Sequence, residues 1–578
     1  EIGPADGGLE FEVKDSSLGE LSIDLEGKLP DLNNVKSTSF KFELAIPSIR
    51  SIPYDIEGLD LPSMPGTVKG RFDYQDGSIV LHDLDGQIGE TIFNLNTTLT
   101  QNPDLVGSQV TFSIAGSDLK ELVPLESLQS LPDDFKASGR IIRGSDADRI
   151  EEFEIELGAM KATLDGTVDN LMNISSADVA FTASGPDLSL FSSLLDRELP
   201  SHAFSINAAA KGKDRLFKAD PIRLTWGPSE LNGSFTLGLG ERTAFNGQFQ
   251  SELMSLAWLT APRDQEPAEE AEEKRDRVFP ETPIPENLLG DLKLDLDLEL
   301  HAGEIILDFT EIYGVDLELE MKDRLIQMDA NIAGGPLGEK ISSKFTFDTR
   351  DDEAKLDFTM DGDGFRFGVM EVEDRGPETT PPTDFVIRAE GHGHTWHDLA
   401  SSLNGRFRLH QDSGLVARAG LDLIFTDLLT ELLNTLNPFS KENPYTELEC
   451  SLVNAEIKDG QVAVDPLLIQ THEMIIVSGG TIDLVTEKLI LDFHTQVRKG
   501  IGLSAGMVIN PFIRLGGSLS SPAIQLDPAG VAVKGTVAVA TVGLSVLARS
   551  LYDRFLSGKD PCGKAYKKLL KEDAEGGD

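Results

Sequence analysis

Three histidines stand close together in the sequence, at His392, His394 and His397. Two histidines at positions i and i+2 of a strand share a face, and that spacing suits the ligands of a metal ion. Thr395, which lies among them, can also cap a short helix that begins at Trp396, and the segment would then be a strand-to-helix turn. We favour the turn over the metal site, and we predict no metal ligands in this protein.

Carboxylates are plentiful, but none of them is arranged for a recognisable reaction. Asp361-Gly-Asp363-Gly offers oxygens that calcium accepts, yet the other positions of a calcium-binding loop are missing, so we predict a tight turn. The sequence has no phosphate-binding glycine loop, nucleophile elbow, zinc-protease motif or dinucleotide-binding fingerprint. We therefore predict a protein that is not an enzyme and has neither a catalytic residue nor a cofactor.

The two cysteines of the chain, Cys450 and Cys562, allow one internal disulfide. In an exported protein they would be expected to pair, whereas in a cytosolic protein two separate buried thiols would be expected. Their spacing leaves both interpretations open. The disulfide requires the two Cα atoms to lie within about 7 Å of each other.

The chain has 578 residues and a formal net charge of −47. This charge argues against a nucleic-acid partner, which needs clustered lysine and arginine, and against broad adsorption to anionic lipid head groups. No signal peptide or N-terminal anchor is visible, and the least charged stretch, residues 535–548, is shorter than the about 20 residues that a membrane span needs. We interpret the acidity as a means of keeping a large β-rich surface soluble.

Strict alternation of apolar and charged residues dominates the chain. In residues 291–300 every second residue is leucine, and aspartate, lysine or glutamate lies between the leucines. Because successive side chains of a strand point to opposite faces, such segments predict strands with one apolar and one polar face. We expect the following alternating residues to share one apolar interior: Leu292, Leu294, Leu296, Leu298, Leu300, Val315, Leu317, Leu319, Met321, Phe345, Phe347, Leu356, Phe358 and Met360.

The N-terminal half contains an internal repeat with a period of 69 residues. Gly89 recurs as Gly158 and again as Gly227, and Asn96 recurs as Asp165. Several independent pairs at one offset predict a linear array of β units, each with a short helix, whose faces are completed by their neighbours. The Asp-Gly and Asn-Gly pairs predict hairpin turns at residues 76–77, 85–86, 165–166, 232–233, 246–247 and 459–460.

Composition divides the chain into segments. Amphipathic spacing predicts helices over residues 421–436 and 533–555. The predicted organisation is an N-terminal β segment (1–69), repeated β units (70–260), an acidic Pro/Glu linker (261–287), a β module (288–528) and a C-terminal helix with a tail (529–578).

From Val278 onward the chain resembles the C-terminal module of AsmA-like proteins. Residues 447–493 are the most recognisable part: a strand and an Asp-Gly turn are followed by a threonine, a Gly-Gly pair and a closing Ile-Asp-Leu strand. The resemblance covers about half of the chain. Its other segments are residues 278–300, 332–348, 394–409, 510–528 and 560–562.

The resemblance implies a mainly β fold: a long twisted antiparallel sheet curled into a repeating β-groove with an apolar inner face, few short helices and an amphipathic C-terminal helix. It also implies a periplasmic protein of the bacterial envelope that supports phospholipid movement from the inner to the outer membrane. The family resemblance further implies tethering to the inner membrane by an N-terminal helix absent from this chain, or by a partner there.

A sheet with one apolar face must cover that face, and the predicted helices are too few to do so. A second sheet would serve, and so would lipid, so we expect the alternating residues to line a groove for phospholipid acyl chains. One alternative hypothesis is a scaffold or assembly factor for outer-membrane proteins that acts by sheet-edge pairing. Another is an extracellular adhesin or carbohydrate-active β protein. A carbohydrate site would need clustered exposed aromatic residues, and the scarcity of tryptophan and tyrosine argues against it.

Overall fold

A computed structural model describes most of the chain, and strands account for most of the described residues. Clustering of contacts divides the chain into two compact units, Glu1–Glu252 and Leu253–Asp578. The described residues are 2–5, 8–18, 21–29, 37–51, 63–75, 77–122, 131–171, 174–192, 198–260, 277–285, 294–307, 311–334, 338–366, 379–417, 445–472, 474–497, 512–526 and 560–575.

The first unit is an antiparallel sheet in which each strand pairs with the next one along the chain. The boundary between the units falls inside the last of these strands. The strands are β1 Ile2–Ala5, β2 Gly8–Leu18, β3 Leu21–Leu29, β4 Ser37–Ile46, β5 Gly66–Gln75, β6 Ser78–Ile88, β7 Thr91–Thr100, β8 Gln109–Gly116, β9 Phe135–Ile142, β10 Asp148–Leu157, β11 Met160–Val168, β12 Ala177–Gly185, β13 Phe204–Lys213, β14 Leu216–Trp226, β15 Ser229–Leu239 and β16 Thr243–Ser255.

The second unit continues the same simple order, except that β23 and β24 both pair with β25. Its strands are β17 Leu294–Ile306, β18 Glu311–Lys322, β19 Leu325–Gly334, β20 Lys340–Asp348, β21 Ala354–Phe365, β22 Thr383–Gly393, β23 Asn404–Gln411, β24 Gly414–Ala417, β25 Tyr445–Lys458, β26 Gln461–Thr471, β27 Met474–Asp483, β28 Lys488–Val497, β29 Phe512–Ser518 and β30 Ser521–Leu526.

In the part of the chain that the structure describes, helices are few. They are α1 Leu119–Leu122, α2 Ala257–Thr260, α3 Trp396–Ser401 and α4 Pro561–Glu575, with single 3₁₀ turns at Ile49–Ser51, Pro103–Leu105 and Leu188–Phe191. The predicted fold class is confirmed: the protein is mainly β, its sheet is antiparallel, open and curled, and one of its helices lies at the C-terminal end. The helices predicted over residues 421–436 and 533–555 lie outside the described residues.

The repeat is visible in where the elements begin. The strands β5, β9 and β13 start at Gly66, Phe135 and Phe204, and each start is 69 residues after the previous one. The helical turns that follow each group of four strands begin at Leu119, Leu188 and Ala257, with the same spacing. Each repeat is therefore a four-strand meander closed by one helical turn at the same end of the strands.

A β-bulge recurs at an equivalent position of the repeats. Asp83 in β6 and Glu152 in β10 have φ angles of 49° and 51°. Each backbone N–H donates to a side-chain oxygen of the next strand, Asn96 Oδ1 at 2.9 Å and Asp165 Oδ1 at 2.7 Å. The third repeat has Pro221 at this position, which carries no N–H and needs no such acceptor.

Most of the predicted hairpin turns are wrong. Residues 85–86, 165–166, 232–233 and 246–247 lie inside strands, and so does the predicted tight turn at Asp361-Gly-Asp363-Gly, whereas residues 459–460 do form a turn. Two of these strand glycines make room for an aromatic ring from the neighbouring strand. A Cβ atom built on Gly86 would lie 2.1 Å from Phe93 Cζ, and one on Gly362 would lie 2.1 Å from Phe385 Cε1. Close approach of a ring, and not a turn, therefore requires these two glycines.

Candidate functional site

The strand register brings most of the predicted apolar residues onto one face of the second unit. Leu298 pairs with Leu319, which pairs with Met328, and this row continues through Phe345 to Phe358. We call the surface formed by this row and the parallel rows beside it the apolar face. The predicted residues that join it are Leu296, Leu298, Leu300, Val315, Leu317, Leu319, Met321, Phe345, Phe347, Leu356, Phe358 and Met360.

One predicted residue cannot be placed, and some members of the face were not predicted. Leu294, the first residue of β17, alternates with Leu296 and so lies on the same side of the strand, whereas Leu292 lies outside the described residues. Met328 in β19 and Ile341 in β20 belong to the face, although they were not predicted. The alternation in β19 is blurred by two consecutive apolar residues at its start, so its pattern alone does not identify the inward positions.

Charged residues lie on the other side of these strands. In β18, Asp316, Glu318 and Glu320 are exposed, while Leu317 and Leu319 between them are half-buried. Most large side chains of the apolar face from β17 to β21 are likewise half-buried, since the described residues put no second layer over its central rows. This part of the sheet is thus one-sided, with an acidic outer surface and an apolar surface that is partly open.

The first unit has an apolar face of the same kind. Leu95 pairs with Phe112, and Phe153 pairs with Leu164, which pairs in turn with Phe181. The ring centroids of Phe112 and Phe153 lie 6.2 Å apart, and the residue between them is a glycine, which has no side chain to separate the rings. All five side chains are half-buried.

Helix α3 closes one end of the strands in the second unit. Thr395 caps it as predicted, because its side chain accepts from the backbone N–H of Asp398 and the Asp398 side chain accepts from the N–H of Thr395. The Trp396 ring stacks on Phe347 at 6.2 Å, which leaves Phe347 only 3% exposed. The apolar face is therefore covered at one end, while the side chains of its middle rows remain half-buried.

Two of the three histidines in and beside this helix share a carboxylate, because His392 and His394 both contact Glu353, whereas His397 has a different partner. His392 Nδ1 lies 3.0 Å from Glu353 Oε2, and His394 Nδ1 lies 3.0 Å from the Asp352 carbonyl oxygen. His397 Nε2 instead contacts the carbonyl oxygen of Val485 at 2.9 Å. Among the described residues, no group of three histidine, cysteine, aspartate or glutamate side chains could hold a metal ion.

The apolar face continues into the last strands of the second unit, where it is buried. Met360 pairs with Ile387, which pairs with Phe407, and Phe407 pairs with Ala455. The buried cluster on this part of the face consists of Ala455, Val464, Met474, Ile476, Leu489, Leu491, Phe493, Ile513 and Leu515.

From β25 to β27 the outer side is apolar as well, and helix α4 covers it. Leu452, Leu468 and Val477 are at most 1% exposed and pack with Cys562 and Ala565 of α4. The disulfide that the sequence left open is present: Cys450 of β25 is bonded to Cys562, and their Cα atoms lie 6.1 Å apart. The chain is therefore pinned back onto the outer side of β25.

An aromatic stack completes this contact. The rings of His410 and Tyr566 are parallel, with centroids 3.7 Å apart, and the Tyr566 hydroxyl donates to Asp384 Oδ2 at 3.2 Å. Burial lowers the pKa of His410 below its usual range, although the carboxylates of Asp412 and Asp384 act in the opposite direction. Burial also raises the pKa of Tyr566 to about 12, and Asp384 adds to this rise.

The sequence did not predict α4 at its observed position. Its residues were assigned to a tail, although Asp560 followed by Pro561 is a recognisable helix start. In the structure the Gly563 N–H donates to Asp560 Oδ1 at 2.9 Å, as expected of a capping residue. These two residues are the signal that could have located the helix.

No protein-family model and no curated protein matches this chain. None of the helices in the described ranges has the length and apolar character needed to cross a membrane.

Proposed function

We propose that this protein is a non-enzymatic lipid-binding protein whose apolar face shields the acyl chains of phospholipids. The observation that carries the proposal is the continuous, partly open apolar face between β17 and β21. Its cross-strand rows contain large apolar side chains, and the charged side chains of the same strands lie on the opposite surface.

Lipid is energetically sufficient to cover this surface. Each methylene that leaves water contributes about 0.8 kcal/mol, so an acyl chain of about sixteen carbons that lies on the face would gain roughly 12 kcal/mol. The cross-strand row that would contact the acyl chain runs from Leu298 to Phe358 and contains no charged side chain. A charge there would be unfavourable, because an acyl chain could not solvate it.

The proposed setting is the bacterial periplasm, where the protein would support phospholipid transport between the inner and outer membranes. Two features support this setting. One is the resemblance to AsmA-like proteins from Val278 onward, which also suggests tethering to the inner membrane through an N-terminal helix or a partner. The other is the disulfide between Cys450 and Cys562, because disulfides persist in oxidising compartments.

The direct test is to purify the protein without detergent, extract it with organic solvent and identify the extracted lipids by mass spectrometry. We expect the wild-type protein to carry phospholipid. Replacing Leu296→Asp together with Phe358→Asp puts two charges on the path of the acyl chains and should abolish carriage. Recovery of ligand-free wild-type protein would contradict the proposal.

A matched control uses the outer surface of the same sheet. Gln327→Asp together with Asn331→Asp adds the same charge at two exposed positions of β19 and should leave carriage unchanged. Circular dichroism checks that both double variants retain the sheet. If lipid is lost equally from both, the apolar face is not the binding site. A scaffold that pairs through sheet edges would keep its client binding in both variants.

A further inference from the structure

Helix α4 carries four lysines in a strongly acidic chain. Lys564, Lys567, Lys568 and Lys571 occupy positions i, i+3, i+4 and i+7, and all four are exposed. Residues with this spacing lie on one side of a helix. They form what we call the lysine stripe, in a chain whose net charge is −47.

The stripe has a fixed orientation because the other side of α4 is held against the sheet. Cys562 and Ala565 are 1% and 3% exposed, and Tyr566 and Leu569 pack beside them. The disulfide ties the first turn of the helix to β25. The lysines therefore point away from the outer side of the sheet.

One large apolar side chain accompanies the stripe. Leu570 is 46% exposed and lies along the helix between Lys567 and Lys571, at the edge of the stripe. A helix that rests on a membrane surface combines these features, with basic side chains at the head groups and an apolar side chain that can reach the acyl boundary.

We propose that the lysine stripe of α4 binds the anionic phospholipid surface of a membrane. Each lysine near such a surface contributes about a fivefold increase in affinity. Acidic residues next to the stripe, such as Asp560 at the helix start, reduce this gain, whereas charges more than about 8 Å away are screened at physiological salt. Glu572, Asp573 and Glu575 follow the stripe in sequence.

The residue type favours a membrane over an acidic protein. Lysine presents a compact charge on a flexible stem, whereas recognition of individual carboxylates uses the planar, two-pronged group of arginine. The stripe contains no arginine. It therefore suits a surface of many mobile anionic head groups. This inference concerns the outer side of β25–β27 and does not require that lipid occupy the apolar face.

The experiment is co-sedimentation of the intact, oxidised protein with vesicles. One set contains phosphatidylcholine alone, and the other contains equal parts of phosphatidylcholine and phosphatidylglycerol. Lys567→Glu with Lys571→Glu reverses two charges of the stripe. The control reverses two exposed lysines of the first unit, Lys41→Glu with Lys69→Glu.

We expect wild-type protein to bind only the vesicles with phosphatidylglycerol and to dissociate as salt is raised. The α4 variant should bind at least tenfold more weakly, while the control should stay within about twofold of wild type. Equal binding to both vesicle types, no binding, or an unchanged affinity of the α4 variant would overturn the proposal. So would retention of an acidic protein by the stripe in place of the vesicles. Lipid extraction from the same variants reports separately on the apolar face, so the two proposals can fail independently.

Discussion

Two regions of the second unit use the same kind of strand in different ways. From β17 to β21 the sheet has one apolar side, and residues such as Leu319 on that side are half-buried. From β25 to β27 both sides are apolar, and residues such as Leu468 and Ile476, which lie on opposite sides, are 1% exposed. The first region is therefore a partly open surface, and the second is a packed core.

The difference can be traced to sequence pattern. Leucine alternates with acidic residues in β17 and β18. The leucines therefore lie on one side of these strands, and the acidic residues lie on the other side, which faces water. In β27 the run Met474–Val477 is continuously apolar, so each side of the strand requires a covering layer. Helix α4 supplies that layer on the outer side, and the disulfide holds it there. We infer that stability is concentrated in β25–β29, while β17–β21 keep a surface available for ligand.

The largest expected effect comes from removing the disulfide. The bond joins residues 112 apart in sequence, and a loop of about 100 residues loses chain entropy worth a little under 5 kcal/mol when it is closed. Replacing Cys562→Ala should lower the free energy of unfolding by up to about that amount. Urea denaturation followed by circular dichroism measures it.

The control for this prediction is the double variant Cys450→Ala with Cys562→Ala. Since one substitution already breaks the cross-link, the double variant should match the single one, and reductant should affect only the wild-type protein. A wild-type unfolding curve that does not change with reductant would show that α4 is not held by the disulfide.

A matched pair of substitutions compares the two regions directly. Leu468→Ala removes a side chain that is 1% exposed and should cost about 2–5 kcal/mol, because it leaves a cavity under α4. Leu319→Ala removes a half-buried side chain and should cost about 1 kcal/mol, since only part of its surface was removed from water. Urea denaturation provides both values. Equal losses would mean that β18 is as tightly packed as β26.

Much of the one-sided region could be predicted from sequence, because alternation with period two fixes which residues share a face. Leu298, Leu319 and Phe358 were placed together on that basis, and the register brings them into one cross-strand row. The pattern fails where alternation is interrupted. Met328 was missed for this reason, since two consecutive apolar residues precede it in β19.

The remaining errors have tertiary causes. Asn-Gly and Asp-Gly pairs favour turns locally, but Gly86 lies in a strand. It is a glycine there because the Phe93 ring occupies the space that a Cβ would need. Helix α4 is amphipathic but was assigned to a tail, and its position depends on packing with β25 and β26. Sequence also left the pairing of Cys450 with Cys562 open, because that pairing depends on how the chain returns to β25.

The smallest expected effect is a pH dependence confined to the packed region, and it centres on His410. Its ring lies against Tyr566 and near Cys450, and the surrounding carboxylates are Asp384, Asp412 and Asp560.

Burial of His410 outweighs these carboxylates and lowers its pKa. As pH falls below about 6.5, the unfolded chain therefore takes up a proton more readily than the folded one, and stability decreases. In the Cys562→Ala variant α4 is held by packing alone, so this variant is the one to measure. Its urea midpoint should fall as the pH is lowered from about 7.5 to about 5.5. Adding His410→Phe keeps an aromatic ring against Tyr566 but removes the titrating group, so the midpoint should fall less.

Burial also lowers the pKa of His494 in β28, which leaves a residual slope that His494→Phe should reduce further. An unchanged slope in the His410→Phe variant would exclude His410 as the origin and would place the pH dependence outside the α4 contact.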